Sequence, residues 1–198
     1  MFHSIADQLL ADARLNAATR TFPPSQVLKC RGEAIFRSQR ARNLGCLFDL
    51  DPDVLAWTCL PILLRLGDGY HIVDFAVQRH DGDFLVDAVT PQDWAVKAAE
   101  SEGWRYDCSS YRLDDNHALI ANAVDLLPYA HNSMVSLADR LRVLSALDDD
   151  GPLALKHCVQ LIRNSSEPMA AIAALYFSGE IRFDLTERIN PDTRVSRT

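Results

Sequence analysis

"YHIVDFAVQRHDGDFLVDAVTP", residues 70–91, is the stretch whose reading decides the fold. Two alternating apolar and polar runs flank Asp81-Gly82, a dipeptide suited to the tight turn of a β-hairpin. Side chains two apart on a strand share a face, which groups Asp74 with Ala76 and Gln78, and Asp87 with Asp83, Leu85 and Val89. Pairing across the turn brings Asp74 and Asp87 together. Two such carboxylates suit a magnesium ion, which takes hard oxygen ligands and activates a water for attack on a phosphodiester. A lysine within reach would orient or deprotonate that water and stabilise the developing charge. Two residues after Asp87, however, stands Val89, which carries neither charge nor hydrogen-bonding group. The bland alternative is a solvated hairpin with two surface aspartates.

Outward from this hairpin, the pattern predicts an N-terminal helix from Ser4 to about Ala18, broken by "FPPSQ" at 22–26. A second helix covers 37–50, with Ser38 as its cap and Asp51-Pro52 as its end. Strands follow at 54–60, 62–66, 70–78 and 83–89, separated by Pro61, by "GDG" at 67–69 and by the Asp81-Gly82 turn. Pro91 opens a helix at 92–102, and 104–113 reads as a further strand. This order predicts an α/β (α+β) fold, a mixed sheet flanked by helices. After a connecting helix at 115–129 come helical runs at 134–148, 152–163 and 167–178. Two strand-like pieces in "GEIRFDLTERINPDTRVSR" (179–197) complete the pattern of a winged helix-turn-helix. The expected domains are 1–130 and 131–198.

Composition bounds the alternatives. The chain has 198 residues, 48% hydrophobic and 24% charged, enough to bury a core. No apolar run reaches the roughly 18 residues of a membrane span, and the first twenty residues lack a basic leader and carry Asp7 and Asp12. The expected location is cytoplasmic, with no membrane partner. The cysteines, at 30, 46, 59, 108 and 158, form no CxxC pair and are expected to be buried reduced thiols. The histidines, at 3, 71, 80, 117, 131 and 157, lack zinc-ligand spacing, and GxxxxGK[ST], GxGxxG, GxSxG and HExxH are all missing. A net charge of -7 and a pI near 5.3 argue against avid non-specific binding of nucleic acid, which depends on neutralising phosphates.

A local basic face is still available. The third helix of the C-terminal module, "EPMAAIAALYFSG" (167–179), has no lysine or arginine and little capacity to read base edges. Cations lie around it: Lys156 and Arg163 before it, and Arg182, Arg188, Arg194 and Arg197 in the hairpin and tail. These are the candidate DNA-binding residues, directed at phosphates, although docking of a protein is an equal alternative.

The wider stretch resembles the TnsA-type transposon endonucleases, the subunits that cut the 5′ ends of certain cut-and-paste transposons. The similarity runs through "RSQRARNLGCLFDLDPDVLAWTCLP" and "IVDFAVQRHDGDFLVDAVTP", and more loosely through the C-terminal module. The family pattern is approximately ES-x-x-E-R-D, a helix ending in D-P, a Q-P, then P-D-F, a D-G turn, and E-V-K or Q-x-K. Ser38 and Arg42 fit the serine and arginine, and the family's catalytic glutamate then falls on Ala41. Leu60-Pro61 stands for Q-P, Val73-Asp74-Phe75 for P-D-F, Asp87 for the second acidic or amide residue, and Val89 for the lysine. The resemblance implies a restriction-endonuclease-like fold with a remnant site at Asp74 and Asp87. Glu33 and Lys97 are the groups that could stand in for the missing glutamate and lysine. It implies no cofactor, or Mg if the remnant holds metal. The implied partners are DNA and a transposase or AAA+ ATPase. The expected function is that of a catalytically degenerate, DNA- or partner-binding component. The alternatives are an active metal-dependent endonuclease with relocated residues and a winged-helix transcriptional regulator.

Overall fold

In the computed structural model, residues 5–108, 117–130 and 135–198 are described. The chain divides into two units, Met1–Ile120 and Ala121–Thr198. In chain order the first holds α1 (Ile5–Ala18), α2 (Gln39–Leu50), β1 (Val54–Cys59), β2 (Leu63–Leu66), β3 (Gly69–Ile72), β4 (Phe75–Arg79), β5 (Gly82–Val86), α3 (Asp93–Ser101) and β6 (Arg105–Asp107). Helix α4 (His117–Leu126) contains the division. The second unit continues with α5 (Leu137–Asp150), β7 (Leu153–Ala154), α6 (Leu155–Leu161), α7 (Pro168–Phe177), β8 (Ile181–Phe183) and β9 (Arg194–Arg197). Among the described residues this is a mixed α/β protein with seven α-helices. No helix there is long and apolar enough to cross a membrane.

The central sheet of the first unit runs β1-β4-β5-β6, antiparallel except that β6 lies parallel to β5. Strand alternation sends Phe75, Val77 and Val86 to one face. There they meet Ala41, Leu44, Leu47 and Phe48 of α2, together with Trp57. Phe48 and Trp57 each meet Phe75 edge-on, with centroids 5.2 and 5.7 Å apart. Leu85 and Ala76 face the other side, against Ala95, Ala98 and Ala99 of α3. Helix α2 starts where Ser38 accepts a hydrogen bond from Ala41 N–H (3.1 Å) and stops at Asp51, which adopts an extended conformation before Pro52.

The hairpin expected from 70–78 and 83–89 is corrected in two ways. The first run splits: β3 pairs with β2 in a separate two-stranded sheet, and only β4 pairs with β5. The cause lies in the neighbouring connection. Leu60, buried, adopts a left-handed conformation (φ 47) between β1 and β2, and its carbonyl accepts from Arg14 Nε and Nη2 at 3.1 and 2.8 Å. The backbone beside it must change partners in step. Leu60 N–H donates to Asp74 O (2.8 Å) and Val73 N–H to Ile62 O (3.2 Å). The turn also sits one residue earlier than expected. Arg79 pairs with Gly82, which leaves His80 and Asp81 as the loop. Gly82 has φ +131, which a side chain rarely adopts.

Of the strand expected at 104–113, residues Arg105–Asp107 form β6, while 109–116 lie outside the described residues, as do Ser4 and 131–134. The expectation of buried thiols holds for Cys46 and Cys158 only. Cys30 and Cys59 are half-buried, and Cys108 is exposed.

In the second unit, β7 joins the expected hairpin to give a three-stranded sheet, β7-β9-β8. Ile172 and Leu175 of α7 are buried with Val143, Leu147 and Val195, while Met169, Tyr176 and Phe177 pack partly buried against them. Two buried polar side chains pin the loops. Asn122 accepts from Ile189 N–H (2.8 Å) and donates to Glu187 O (2.9 Å), holding the loop between β8 and β9. Asp139 accepts from Arg163 N–H (2.8 Å) and Asn164 N–H (3.0 Å), holding the connection from α6 to α7. Burial opposes its ionisation, but the bonds from Arg163, Ser136, Arg142 and Asn164 outweigh that and keep the Asp139 carboxyl well below the usual carboxylate range.

Candidate functional site

Asp74 and Asp87 do come together, but outside the ladder. Asp74 sits in the break between β3 and β4, and Asp87 just past the end of β5. Asp87 Oδ1 accepts from Asp74 N–H (2.7 Å), and Asp74 Oδ2 accepts from Ala88 N–H (3.0 Å). The two side chains are only 8% and 2% exposed. They form the floor of a cavity of about 430 Å³, whose wall includes Arg37, Ser38, Tyr70, His71, Val89 and Trp94.

Three partners hold these two carboxylates, none of them singled out by the sequence pattern. Arg37, just before the α2 cap, places both Nε (2.8 Å) and Nη2 (2.6 Å) on Asp74 Oδ1. His71 Nε2 lies 2.6 Å from Asp87 Oδ2, and the Tyr106 hydroxyl donates to the same oxygen. Burial raises the Asp74 carboxyl above the usual value. Arg37 pulls it back, Asp87 adds to the rise, and the Ala88 N–H opposes it. Burial and the Asp87 carboxylate push the Tyr106 phenol up, so it stays a donor at neutral pH.

Each carboxylate oxygen therefore already accepts at least one hydrogen bond, and a guanidinium stands where a cation would sit. Magnesium demands near-octahedral oxygen ligation and keeps several waters of its own. As arranged, this donor set does not fit it.

The other expected site residues lie elsewhere. Ala41 is buried within the core under α2, not on the cavity wall. Arg42 is fully buried. It donates to Pro24 O (2.7 Å) and Gln26 O (2.6 Å) and lies over Phe36, so it holds the chain before α2. Lys97 projects from the solvent side of α3, whose inner side is Ala95, Ala98 and Ala99, and Glu33 is exposed ahead of the buried Ile35 and Phe36. Neither lines the cavity.

In the second unit, Lys156 bridges Asp192 (2.6 Å), Arg188 approaches Asp125 (3.5 Å) and Arg197 approaches Asp148 (3.3 Å). Arg182 donates to Ser196 Oγ (3.0 Å). All six candidate cations are exposed, and among the described residues Arg163 and Arg194 have no carboxylate partner. Arg182 and Arg194 share the solvent face of the three-stranded sheet, opposite the buried Phe183 and Val195.

No protein-family model matches the chain, and no curated protein matches it.

Proposed function

We propose that the protein is a catalytically degenerate relative of the TnsA-type transposon endonucleases, a DNA- or partner-binding component of a mobile-element or related DNA-transaction complex. In this reading the first unit is a restriction-endonuclease-like domain, supported by a mixed sheet with α2 and α3 on opposite faces. The second is a winged helix, supported by α5, α6 and α7 with the β7-β9-β8 sheet.

The observation that carries the reading is the fork of Arg37 on Asp74. In the pattern ES-x-x-E-R-D, the residue before the serine is acidic. With Ser38 in the serine's place, that residue is Arg37, a reversal of charge directly beside the Asp74 carboxyl. The cavity-facing position is thus 37, while 41 belongs to the core. Losing groups of such a constellation costs orders of magnitude in rate.

Incubation with duplex DNA and magnesium or manganese is expected to give no nicking above background. Arg37→Glu with Val89→Lys restores a carboxylate and a lysine at positions that both line the cavity, and is expected to gain nicking that requires the metal. Its thermal midpoint should also rise with magnesium, since a ligand that binds only the folded state stabilises it. Cleavage by the wild-type chain that disappears in Asp74→Ala would overturn the reading.

For the second unit, the supporting feature is a set of exposed cations beside an apolar α7. Phosphate contact needs only cations, and weak surface ion pairs such as Arg188–Asp125 are readily exchanged for it. DNA binding by the full chain is expected to be indifferent to sequence. The plot of log affinity against log salt should have a slope of about -3 to -4 if four phosphates are neutralised. Replacing Arg182, Arg188, Arg194 and Arg197 with alanine should abolish binding. Selection of one short sequence from a random pool at physiological salt would refute this mode.

A further inference from the structure

Trp94 is a large aromatic side chain that its own unit leaves half-buried, on the wall of the cavity of about 430 Å³. Two polar residues of the same wall flank it. The indole N–H donates to Gln92 Oε1, which leaves the amide NH2 of the exposed Gln92 as a donor. His71 meets Trp94 edge-on, with ring centroids 6.3 Å apart. Its Nε2 is taken up by Asp87, and Nδ1 has no partner among the described residues. A neutral imidazole that donates through Nε2 presents Nδ1 as an acceptor. An indole flanked by one donor and one acceptor suits a flat heterocycle that carries an acceptor and a donor on neighbouring atoms.

Guanidinium groups gather at the same cavity, although the chain has a net charge of -7. Arg37 forks onto Asp74 through Nε and Nη2, which leaves Nη1 without a partner among the described residues. Arg65 lies over the ring of Tyr70, another residue of the wall, 5.5 Å from its centroid. Arg20 Nη1 donates to Arg37 O (3.0 Å). Aromatic rings interleaved with guanidinium groups are the composition of sites that take unpaired nucleotides.

We propose that this cavity binds one unpaired adenine nucleotide, its base stacked on Trp94 and its phosphate held at the rim by Arg37. The adenine amine donates to His71 Nδ1, and the neighbouring ring nitrogen accepts from the Gln92 amide, as in a bidentate base contact. Asp74 and Asp87 orient the ligand, since their negative charge keeps a phosphate off the floor and turns the neutral base inward. The cavity falls within the range of about 300–1,000 Å³ usual for small-molecule sites. A base inside a duplex hides its faces and its pairing edge, so the ligand is a free nucleotide or an unpaired one in a strand. If the first unit is a nuclease-like domain that no longer cuts, the reading on which this rests, its remnant cavity keeps a use that needs no metal.

The test uses the full chain with Arg182, Arg188, Arg194 and Arg197 replaced by alanine, which removes the phosphate contacts of the second unit, and with a chelator present. Fluorescence anisotropy compares a labelled short oligo(dA) with an abasic strand of the same length and with a duplex, and AMP serves as competitor. Oligo(dA) is expected to bind about tenfold or more tightly than either, and AMP to displace it. Displacement by AMP at the concentration at which unlabelled oligo(dA) acts identifies a free nucleotide as the ligand, and a much higher requirement identifies the strand. Trp94→Ala should weaken binding about tenfold, and Trp94→Phe should recover most of that loss. Gln92→Ala, at an exposed position, should erase the preference for oligo(dA) over oligo(dT). Equal binding of oligo(dA) and the abasic strand overturns the proposal. So does unchanged binding by Trp94→Ala folded by circular dichroism, or an unchanged preference in Gln92→Ala. With no metal present, none of these results depends on the nicking assay that tests the loss of cleavage.

Discussion

Trp57→Ala is expected to cost the first unit about 4 kcal/mol, measured by urea unfolding, and to leave much of the chain unfolded at 37 °C. Trp57 is 1% exposed and meets Phe36, Phe48 and Phe75 with centroids 5.7 to 6.0 Å away. Its indole N–H also donates to Asp49 Oδ1 (2.8 Å), while Asp49 Oδ2 has no hydrogen-bond partner among the described residues. Trp57→Phe separates the two contributions. It keeps most of the packing and removes the donor, at an expected cost of about 2 kcal/mol. Burial already raises the Asp49 carboxyl above its ordinary value, against the Lys29 N–H and the indole. A carboxyl raised by folding holds its proton longer in the folded state, so its contribution declines as pH rises through that value. The phenylalanine variant should therefore lie closer to wild type in acid than at neutral pH. A cost below about 1 kcal/mol for the alanine variant would show that the site collapses without loss, against the packing described.

Arg37→Ala is expected to destabilise by about 2–3 kcal/mol. Removing one member of a fully buried pair typically costs about 3–5 kcal/mol, and the lower figure follows because 38% of the Arg37 side chain stays in solvent. The Asp74 carboxyl left behind keeps its burial and its neighbour Asp87 but loses the group that opposed them, so its value climbs further above 3.8. The folded state then holds the Asp74 proton over a wider interval, and stability falls as pH rises across it. The loss should be smallest in acid, where Asp74 is protonated with or without Arg37, and should grow as pH rises. Arg37→Lys returns the charge without the fork and should recover part of the loss. Equal destabilisation at every pH would mean that Arg37 acts by packing and not as the counter-charge of Asp74.

Much of the architecture is written locally. Ser38 and Asp51-Pro52 bound α2 because capping and the restriction before proline act within a few residues. The alternation of Phe75, Ala76 and Val77 assigns each side chain to a sheet face because a strand has a period of two. The small and apolar residues of α7 placed it in the core of the second unit for the same kind of reason. The sequence likewise named Asp74 and Asp87 as neighbours, since a short turn leaves a hairpin few registers.

Only the tertiary structure decided what those carboxylates face. The split of 70–78 depends on Leu60, whose left-handed backbone is held by Arg14 from α1, 46 residues earlier in the chain. Arg37 and Tyr106 reach the two carboxylates from 37 residues before Asp74 and 19 after Asp87. Ala41, assigned to the site by counting along a motif, turned inward because α2 buries the side that carries Leu44 and Phe48. Periodicity and caps are properties of neighbouring residues, so a single sequence displays them. Which cation balances a buried carboxylate is settled by packing between distant segments, and no local pattern records that choice.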